Sequence, residues 1–222
     1  MSGRGTGTAA SDLGFVHVFE PGASGTTLLL LHGTGGDERD LIPLARRLAP
    51  GASLLAPRGP VLEAGMPRFF RRLAMGVFDE EDVVRRVGEL GVFVRAAAAR
   101  YGFDPAALRA LGYSNGANMA AAMLLLDGAA LAGAALVRAV LPIEPLRLPD
   151  LTGKPVLIAA GRNDPYAPVA RVEALAARLT SAGAAVELRW SEGGHAPEPE
   201  ELGAVGEWIA RAGRDGDRAT SR

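Results

Sequence analysis

Short apolar runs alternate with longer segments of helical pattern along most of the chain. The run 28–31 is apolar at every position, which is typical of a strand that is covered on both faces. Six further runs predict the remaining strands: GFVHVFE near residue 14, ASLLAP near 52, LRALGYS before 115, AALVRAVLP near 134, PVLIAAG near 155 and AVELRW near 185.

Between these runs, apolar residues recur at the spacing of an amphipathic helix. The pattern predicts helices over 39–48, 80–101, 115–126, 169–182 and 198–210. Such an alternation of strands and helices is typical of an α/β fold, in which helices flank a mostly parallel central sheet. We therefore predict a fold of this class.

The length of 222 residues corresponds to one ordinary domain. No repeat or linker divides the chain, so we predict a single domain over 13–212, with flexible polar tails at 1–12 and 213–222. Within the domain, the segment 57–78 contains several prolines and glycines and has no clear period. Loops of this length are usually functional or disordered, and the pair Phe69 and Phe70 suggests that this one packs on the domain.

The composition limits both the chemistry and the partners. Cysteine is absent, which excludes disulfides, thiolate metal sites and a cysteine nucleophile. The 24 basic and 25 acidic residues nearly cancel, which argues against nucleic acid or an anionic membrane as the main partner. No signal peptide is evident, and the apolar stretch 117–137 carries Asn118 and Asp127, so a buried helix and strand are favoured over a membrane span. We expect a cytoplasmic protein without membrane insertion and leave a homodimer open.

The sharpest local motif is Gly112-Tyr113-Ser114-Asn115-Gly116, a G-x-S-x-G sequence between a predicted strand and a predicted helix. In that context a sharp turn holds the serine in a strained conformation, and the glycines avoid collisions with the neighbouring strand and helix. The motif alone is weak in a glycine-rich chain, where a tight turn with a capping serine is the alternative. The strand–turn–helix context favours Ser114 as a nucleophile.

A serine nucleophile needs a base, and the chain has three histidines. His17 lies in a predicted strand, where a structural imidazole is expected, and His32 belongs to a glycine-rich turn. His195 follows the last predicted strand, in the loop SEGGHAPE, which is where this class of fold carries its base. We therefore predict that His195 is the base.

The imidazole in turn needs a carboxylate that holds its tautomer. Asp164 directly follows the predicted strand PVLIAA, which places it at the same edge of the sheet as Ser114. Glu144 and Asp150 on the preceding connection are alternatives, and an Asx turn is the other role open to Asp164. The chain order Ser114, Asp164, His195 is that of the α/β hydrolases, which favours Asp164.

The turn HGTGGD, residues 32–37, follows the run 28–31 and can aim backbone N–H groups at a developing oxyanion. By position, the donors would be the amides of Thr34 and Asn115. A phosphate-binding loop is the competing interpretation, but no lysine follows, and Glu38 stands where G-x-G-x-x-G requires its third glycine. A plain entry turn to the next helix is compatible with the oxyanion role.

The sequence supports no metal site, because its histidines are far apart in the chain. The acidic run at 79–82 is more simply explained as the first turn of a helix, where the helix dipole favours negative charge. The nearby Arg58, Arg68, Arg71 and Arg72 either neutralise that run or attract an anionic substrate. We favour the structural pairing.

Several blocks between about Leu28 and about Trp208 resemble the phospholipase/carboxylesterase-type α/β hydrolases related to acyl-protein thioesterases: LHGTGGDERDLIPLARRLAPGASLLAPRG, GMPRFFRRLAMGVFDEEDV, GYSNGANMAA, AGRNDP and GGH. The RFFRR…GVFDEED segment is most similar to bacterial members described as carboxylesterases or hydroquinone-linked hydrolases. The resemblance implies an α/β-hydrolase fold with Ser114, Asp164 and His195 as the catalytic triad. It also implies that Thr34 and Asn115 form the oxyanion hole.

The same resemblance places Phe69 and Phe70 beside the acyl pocket as substrate-binding aromatics. We expect a serine carboxylesterase that cleaves small-molecule esters of short to medium acyl chain through an acyl-enzyme, without a metal or other cofactor. The connection 141–154 is too short for a helical cap, so we expect no cap domain. A thioesterase or (lyso)phospholipase with the same triad is the alternative, and a non-catalytic binding protein of this fold is the remote one.

Overall fold

The computed structural model describes the main chain of residues 12–219 and the side chains up to residue 212. In this part of the chain the strands are β1 (His17–Glu20), β2 (Thr27–Leu31), β3 (Ser53–Pro57), β4 (Val61–Glu63), β5 (Met66–Arg68), β6 (Arg72–Ala74), β7 (Val77–Phe78), β8 (Arg109–Tyr113), β9 (Gly133–Val137), β10 (Pro155–Gly161) and β11 (Ala185–Ser191). The helices are α1 (Ile42–Leu48), α2 (Glu80–Tyr101), α3 (Asn115–Leu126), α4 (Val169–Ser181) and α5 (Pro199–Ala219), with a short 3-10 helix at Pro105–Ala107.

Seven of these strands form one sheet in the order β1-β3-β2-β8-β9-β10-β11. Neighbouring strands are parallel, except that β1 pairs antiparallel with β3 at one edge. The seven predicted strands and the mostly parallel sheet are therefore confirmed. Because parallel strands end at the same edge, the segments that follow β2, β8 and β10 meet there, which is where open α/β sheets bind their ligands.

Helices cover the sheet on both faces. On one face, α2, α3 and α4 pack in an apolar cluster that includes Leu29 and Leu31 of β2. On the opposite face, α1 and α5 pack in a second cluster with Leu28 and Leu30. Since successive side chains of a strand point to opposite faces, the uninterrupted apolar run of β2 follows from burial on both sides.

Helix α2 begins and ends where the sequence predicts. The Asp79 carboxylate caps it by accepting a hydrogen bond from the N–H of Asp82 at 3.1 Å, and the acidic run forms its first turn. Gly102, at φ 77°, ends the helix in the left-handed conformation that glycine adopts without strain. The acidic run thus has the structural role that the sequence predicts.

Helix α5 continues to Ala219 and so passes residue 212, where the sequence places the end of the domain. No proline interrupts the segment 200–219, so the helical hydrogen-bond pattern can continue through it. The predicted N-terminal tail lies outside the described residues apart from Asp12. Among the helices that the structure describes, none combines the length and apolar character that crossing a bilayer requires.

The segment 57–78 forms two short β-hairpins, β4–β5 and β6–β7. Their strands have only two or three residues, too few for an alternating pattern to be visible in the sequence. Between the hairpins, Phe69 and Phe70 are fully buried, so the segment packs on the domain as expected. By contrast, the connection from β9 to β10, all of which the structure describes, contains no helix that could act as a cap.

Candidate active site

Ser114 lies at the turn between β8 and α3. Its backbone adopts φ 52° and ψ −115°, a conformation that costs an L-residue free energy, and its N–H donates to Val137 O at 2.9 Å. A Cβ atom on Gly112 would come within 2.6 Å of the α3 main chain, and one on Gly116 within 2.0 Å of the β2 main chain. The turn therefore has the strained geometry predicted from the motif, and it requires both glycines.

His195 links Ser114 to Asp164 through two hydrogen bonds. Its Nε2 lies 3.0 Å from Ser114 Oγ, and its Nδ1 lies 2.8 Å from Asp164 Oδ2. The Asp164 side chain is completely buried, and its other oxygen accepts a hydrogen bond from the N–H of Tyr166 at 2.8 Å. The structure thus brings the three predicted residues together at the carboxyl edge of the sheet.

The hydrogen-bonded Ser114, His195 and Asp164 side chains have the geometry for nucleophilic catalysis. A neutral imidazole that donates from Nδ1 to Asp164 presents an unprotonated Nε2 to the Ser114 hydroxyl. Nε2 can then take the hydroxyl proton, and the adjacent carboxylate stabilises the imidazolium that results. The strained turn keeps the Ser114 oxygen at the open edge of the sheet, where a substrate can reach it.

The alternative residues lie elsewhere. Glu144 is exposed, and the exposed Asp150 carboxylate accepts a hydrogen bond from the N–H of Thr152 at 2.8 Å. His17 is buried in β1 with its Nε2 2.7 Å from Tyr101 Oη, which fits the structural role expected for it. Among the described residues, no group of three or more histidine or acidic side chains could hold a metal ion.

His32 is the first residue of the glycine-rich turn, and its side chain is buried. Its Nε2 accepts a hydrogen bond from the N–H of Gly59 at 2.9 Å, and its Nδ1 lies 2.7 Å from Gly33 O. Burial lowers the pKa of His32 below its ordinary value, because desolvation disfavours the charged imidazolium. A neutral ring that is protonated at Nδ1 satisfies both contacts, so His32 fastens the turn to the segment 57–78.

The predicted oxyanion donors border the same cleft as Ser114. Thr34 and Asn115 both line this cleft. Asn115 is also the first residue of α3, so the positive end of the helix dipole lies at this point. Backbone N–H groups in this position can stabilise a negative oxygen next to Ser114.

The side chains of the same two residues have contacts that the sequence did not predict. Thr34 Oγ1 accepts a hydrogen bond from Arg68 Nη1 at 2.7 Å, and Asn115 Oδ1 accepts one from the N–H of Phe69 at 2.7 Å. Both contacts attach the segment 57–78 to the predicted oxyanion donors. A sequence motif places an amide by its position in the turn, but it carries no information about the partner of a side chain.

The cleft beside Ser114 has a volume of about 320 Å³. Phe69 and Phe70 do not line it, because both rings are fully buried in the core, so the prediction that they bind substrate is wrong. Phe70 instead supports Phe78, whose ring meets it edge-on at 5.2 Å between centroids and reaches the cleft. Tyr166, whose ring packs against His195, lines the cleft as well.

Two of the four arginines near the acidic run pair with carboxylates outside the cleft. Arg71 pairs with Asp79 at 2.7 Å, which confirms the predicted contact with that run. Arg58 pairs at 2.6 Å with the buried Glu38, which follows the glycine-rich turn and does not belong to the acidic run. Neither arginine lines the cleft.

The other two arginines, Arg68 and Arg72, line the cleft. They share one carboxylate, Glu63, at 3.3 Å and 2.5 Å, so one positive charge remains uncompensated within this cluster. Burial and the charge of Arg72 lower the pKa of Arg68, although a guanidinium stays protonated at neutral pH. The part of the cleft that Arg68 and Arg72 line is therefore cationic.

Comparisons with known proteins match more than half of the chain with a family model and about nine tenths of it with individual relatives. The model of the dienelactone hydrolase family matches residues 70–201. The "Putative hydrolase MhqD" of Bacillus subtilis (strain 168) is 46% identical over 196 residues, which are 88% of this chain and 98% of that protein. The crystal structure of the Bacillus cereus carboxylesterase is 47% identical and has a TM-score of 0.89, with 91% of this chain and 96% of that chain covered. The structure of YahD with malic acid is 30% identical, with a TM-score of 0.83 and coverage of 88% and 98%.

Proposed function

Because this chain belongs to the dienelactone hydrolase family of α/β hydrolases and is a hydrolase of ester bonds, we propose that it is a serine carboxylesterase with Ser114 as the nucleophile. One observation carries the proposal. The strained Ser114 is joined through His195 to the buried Asp164 by contacts of 3.0 Å and 2.8 Å. This is the arrangement that nucleophilic catalysis by a serine requires.

In the proposed reaction, Ser114 Oγ attacks the ester carbonyl carbon while His195 Nε2 takes the hydroxyl proton. The carbonyl oxygen becomes an oxyanion and accepts hydrogen bonds from the amides of Thr34 and Asn115. The C–O bond of the ester then breaks, and the alcohol leaves with the proton from His195. Water attacks the acyl-enzyme by the same route and releases the carboxylic acid, so no cofactor takes part.

The cleft supports a small-molecule ester of short to medium acyl chain. It is open at the sheet edge, and Phe78 and Met75 supply its apolar walls. Each methylene that is buried adds about 0.8 kcal/mol of binding, but only as far as these walls extend.

The charge of the cleft supports an ester that also carries a carboxylate. Arg68 and Arg72 form a cationic wall, and guanidinium groups bind carboxylates through paired hydrogen bonds. The malic acid in the structure of the related YahD is a dicarboxylate, which agrees with this substrate class. We therefore place the anionic group of the substrate on the arginine side of the cleft and the scissile carbonyl next to Ser114.

A series of p-nitrophenyl esters from acetate to palmitate tests this function, measured below and above micelle formation and compared with matched thioesters. We expect the highest kcat/KM for short to medium acyl chains and no rate jump at the interface. A best rate on long chains with interfacial activation would favour the (lyso)phospholipase alternative, and a higher kcat/KM for thioesters would favour a thioesterase. A complete lack of turnover would favour a binding protein of this fold.

A further inference from the structure

The loop that carries His195 is held in place by hydrogen bonds to three of its consecutive main-chain carbonyl groups. Gly194 O accepts a hydrogen bond from Arg138 Nε at 2.8 Å, and Ala196 O accepts one from Arg138 Nη2 at 3.4 Å. Between them, His195 O accepts a hydrogen bond from Tyr113 Oη at 3.1 Å. A glycine-rich loop with no regular structure is thus fixed on both sides of the imidazole by two side chains.

Arg138, which donates two of these hydrogen bonds, has an unusual environment and backbone conformation. It is the residue after β9, its side chain is completely buried, and its backbone adopts φ 59°, which an L-residue does only at a cost in free energy. Its guanidinium also binds both carboxylate oxygens of Glu201 in α5, each at 2.8 Å. A bidentate pair of this kind fixes the plane of the guanidinium, and the same plane carries the N–H groups that reach the His195 loop.

The main chain at the same position connects the other two members of the triad. Val137 O accepts the N–H of Ser114 at 2.9 Å, and the N–H of Arg138 donates to Ala159 O of β10, the strand that leads to Asp164, at 2.8 Å. Residues 137 and 138 therefore contact all three segments that carry the triad.

From these contacts we infer that Arg138 is a positioning residue, which sets the place of the His195 imidazole relative to Ser114 through the Gly194 and Ala196 carbonyls. The inference rests on the proposed function of the triad. Arg138 does not line the cleft, so it acts through His195 and not on the substrate.

The consequence is a selective loss of turnover when the guanidinium is removed. A displacement of about 1 Å in a reacting group can lower a rate by about 10²-fold. We therefore expect Arg138→Met to reduce kcat by 10- to 10²-fold. KM should change by less than about twofold, since the walls of the cleft are intact. Arg138→Lys keeps the charge for Glu201 but cannot donate to both carbonyls in one plane, so its kcat should lie between those of the wild type and Arg138→Met.

The experiment measures kcat, KM and the thermal unfolding temperature for wild type, Arg138→Lys, Arg138→Met and Arg138→Ala on p-nitrophenyl acetate. Arg46→Met is the matched control, because Arg46 also binds one carboxylate, Glu20, through two guanidinium nitrogens but lies away from the cleft. The Arg138→Ala variant is also assayed with added ethylguanidinium, which can fill the space left by the side chain. We expect ethylguanidinium to raise its kcat several-fold and to leave the kcat of Arg46→Met unchanged.

Two results would overturn the inference while leaving the proposed function intact. One is a kcat within twofold of the wild type in folded Arg138→Met. The other is a loss that follows only the fall in unfolding temperature, equals that of Arg46→Met and does not respond to ethylguanidinium. If Arg138→Met and Arg138→Ala do not fold, the kcat of Arg138→Lys and of Glu201→Gln decides the question, and wild-type values in both overturn the inference. An inactive wild type would instead refute the proposed function itself.

Discussion

The replacement of Asp164 by asparagine should stop turnover by trapping His195 in the wrong tautomer. One Asp164 oxygen accepts the N–H of Tyr166 at 2.8 Å, and the other lies 2.8 Å from His195 Nδ1. In Asp164→Asn the amide oxygen must remain on the Tyr166 N–H, since only an acceptor can meet that donor, so the NH₂ group faces His195. Nδ1 then has to accept a hydrogen bond, which leaves its proton on Nε2, where the proton of Ser114 should go.

The expected loss is large because, among the described residues that line the cleft, His195 is the only histidine and no carboxylate is present that could act as the base. A tautomer change of this kind lowers kcat by about 10⁴-fold in serine proteases, which corresponds to about 5.5 kcal/mol of activation free energy. The asparagine has nearly the shape of the aspartate, so the fold should be retained. The assay is kcat on p-nitrophenyl acetate, with thermal unfolding followed by circular dichroism.

Asp150→Asn and Glu144→Gln provide matched controls, because both carboxylates are exposed and neither contacts His195. Both variants should keep the wild-type kcat. Near-normal turnover in Asp164→Asn would refute the tautomer argument. A severe loss in either control would indicate that its carboxylate, and not that of Asp164, orients His195.

Substitutions around the cleft give three further predictions. Phe70→Ala should mainly lower the free energy of unfolding, by about 3–5 kcal/mol, whereas Phe78→Ala should shift the best acyl chain to greater length. Urea melts and the ester series separate the two effects, and an acyl-length shift in Phe70→Ala alone would show that Phe70 and not Phe78 limits the cleft. Arg68→Met should lower the preference for an ester that carries a carboxylate, measured as its kcat/KM divided by that of its neutral methyl ester, by about tenfold or more, since a hydrogen bond to a charged group contributes about 1.5–3 kcal/mol. An unchanged ratio would show that the substrate does not contact Arg68. Burial lowers the pKa of His32, so the unfolded chain binds more protons than the folded one below pH ~6.5, and the free energy of unfolding should fall as the pH decreases through that range. Urea melts from pH 7.5 to 5.5 should show a weaker fall in His32→Gln than in the wild type, and an equal fall would assign the pH dependence to other groups.

The sequence predicted the fold, and it singled out the three residues that the structure brings together as a candidate triad, because each is a local signal. Apolar runs identify the strands, and Ser114 and Asp164 follow strands directly, so their position at one edge of a parallel sheet needs no knowledge of tertiary contacts. His195 was found by elimination among three histidines and by its place after the last strand. These features depend on chain order and periodicity, which are visible in one sequence.

The walls of the cleft were not predictable in the same way. The strands of β4–β5 and β6–β7 are too short for periodicity, and nothing local distinguishes a buried Phe69 or Phe70 from an aromatic that faces substrate. Arg138 stands in the apolar run AALVRAVLP, and its contacts with the His195 loop and with Glu201 span 56 to 63 positions of sequence separation. Such roles depend on backbone direction and long-range packing, which single-sequence patterns do not encode.

Covalent labelling shows whether Ser114 is an activated nucleophile. Wild type and Ser114→Ala are each incubated with a fluorophosphonate probe at neutral pH, and the modified peptide is then identified by mass spectrometry. We predict a single adduct on Ser114 in the wild type and no adduct in Ser114→Ala, whose fold is verified by circular dichroism. An unlabelled wild type, or equal labelling of Ser114→Ala at another residue, would show that Ser114 is not the activated nucleophile.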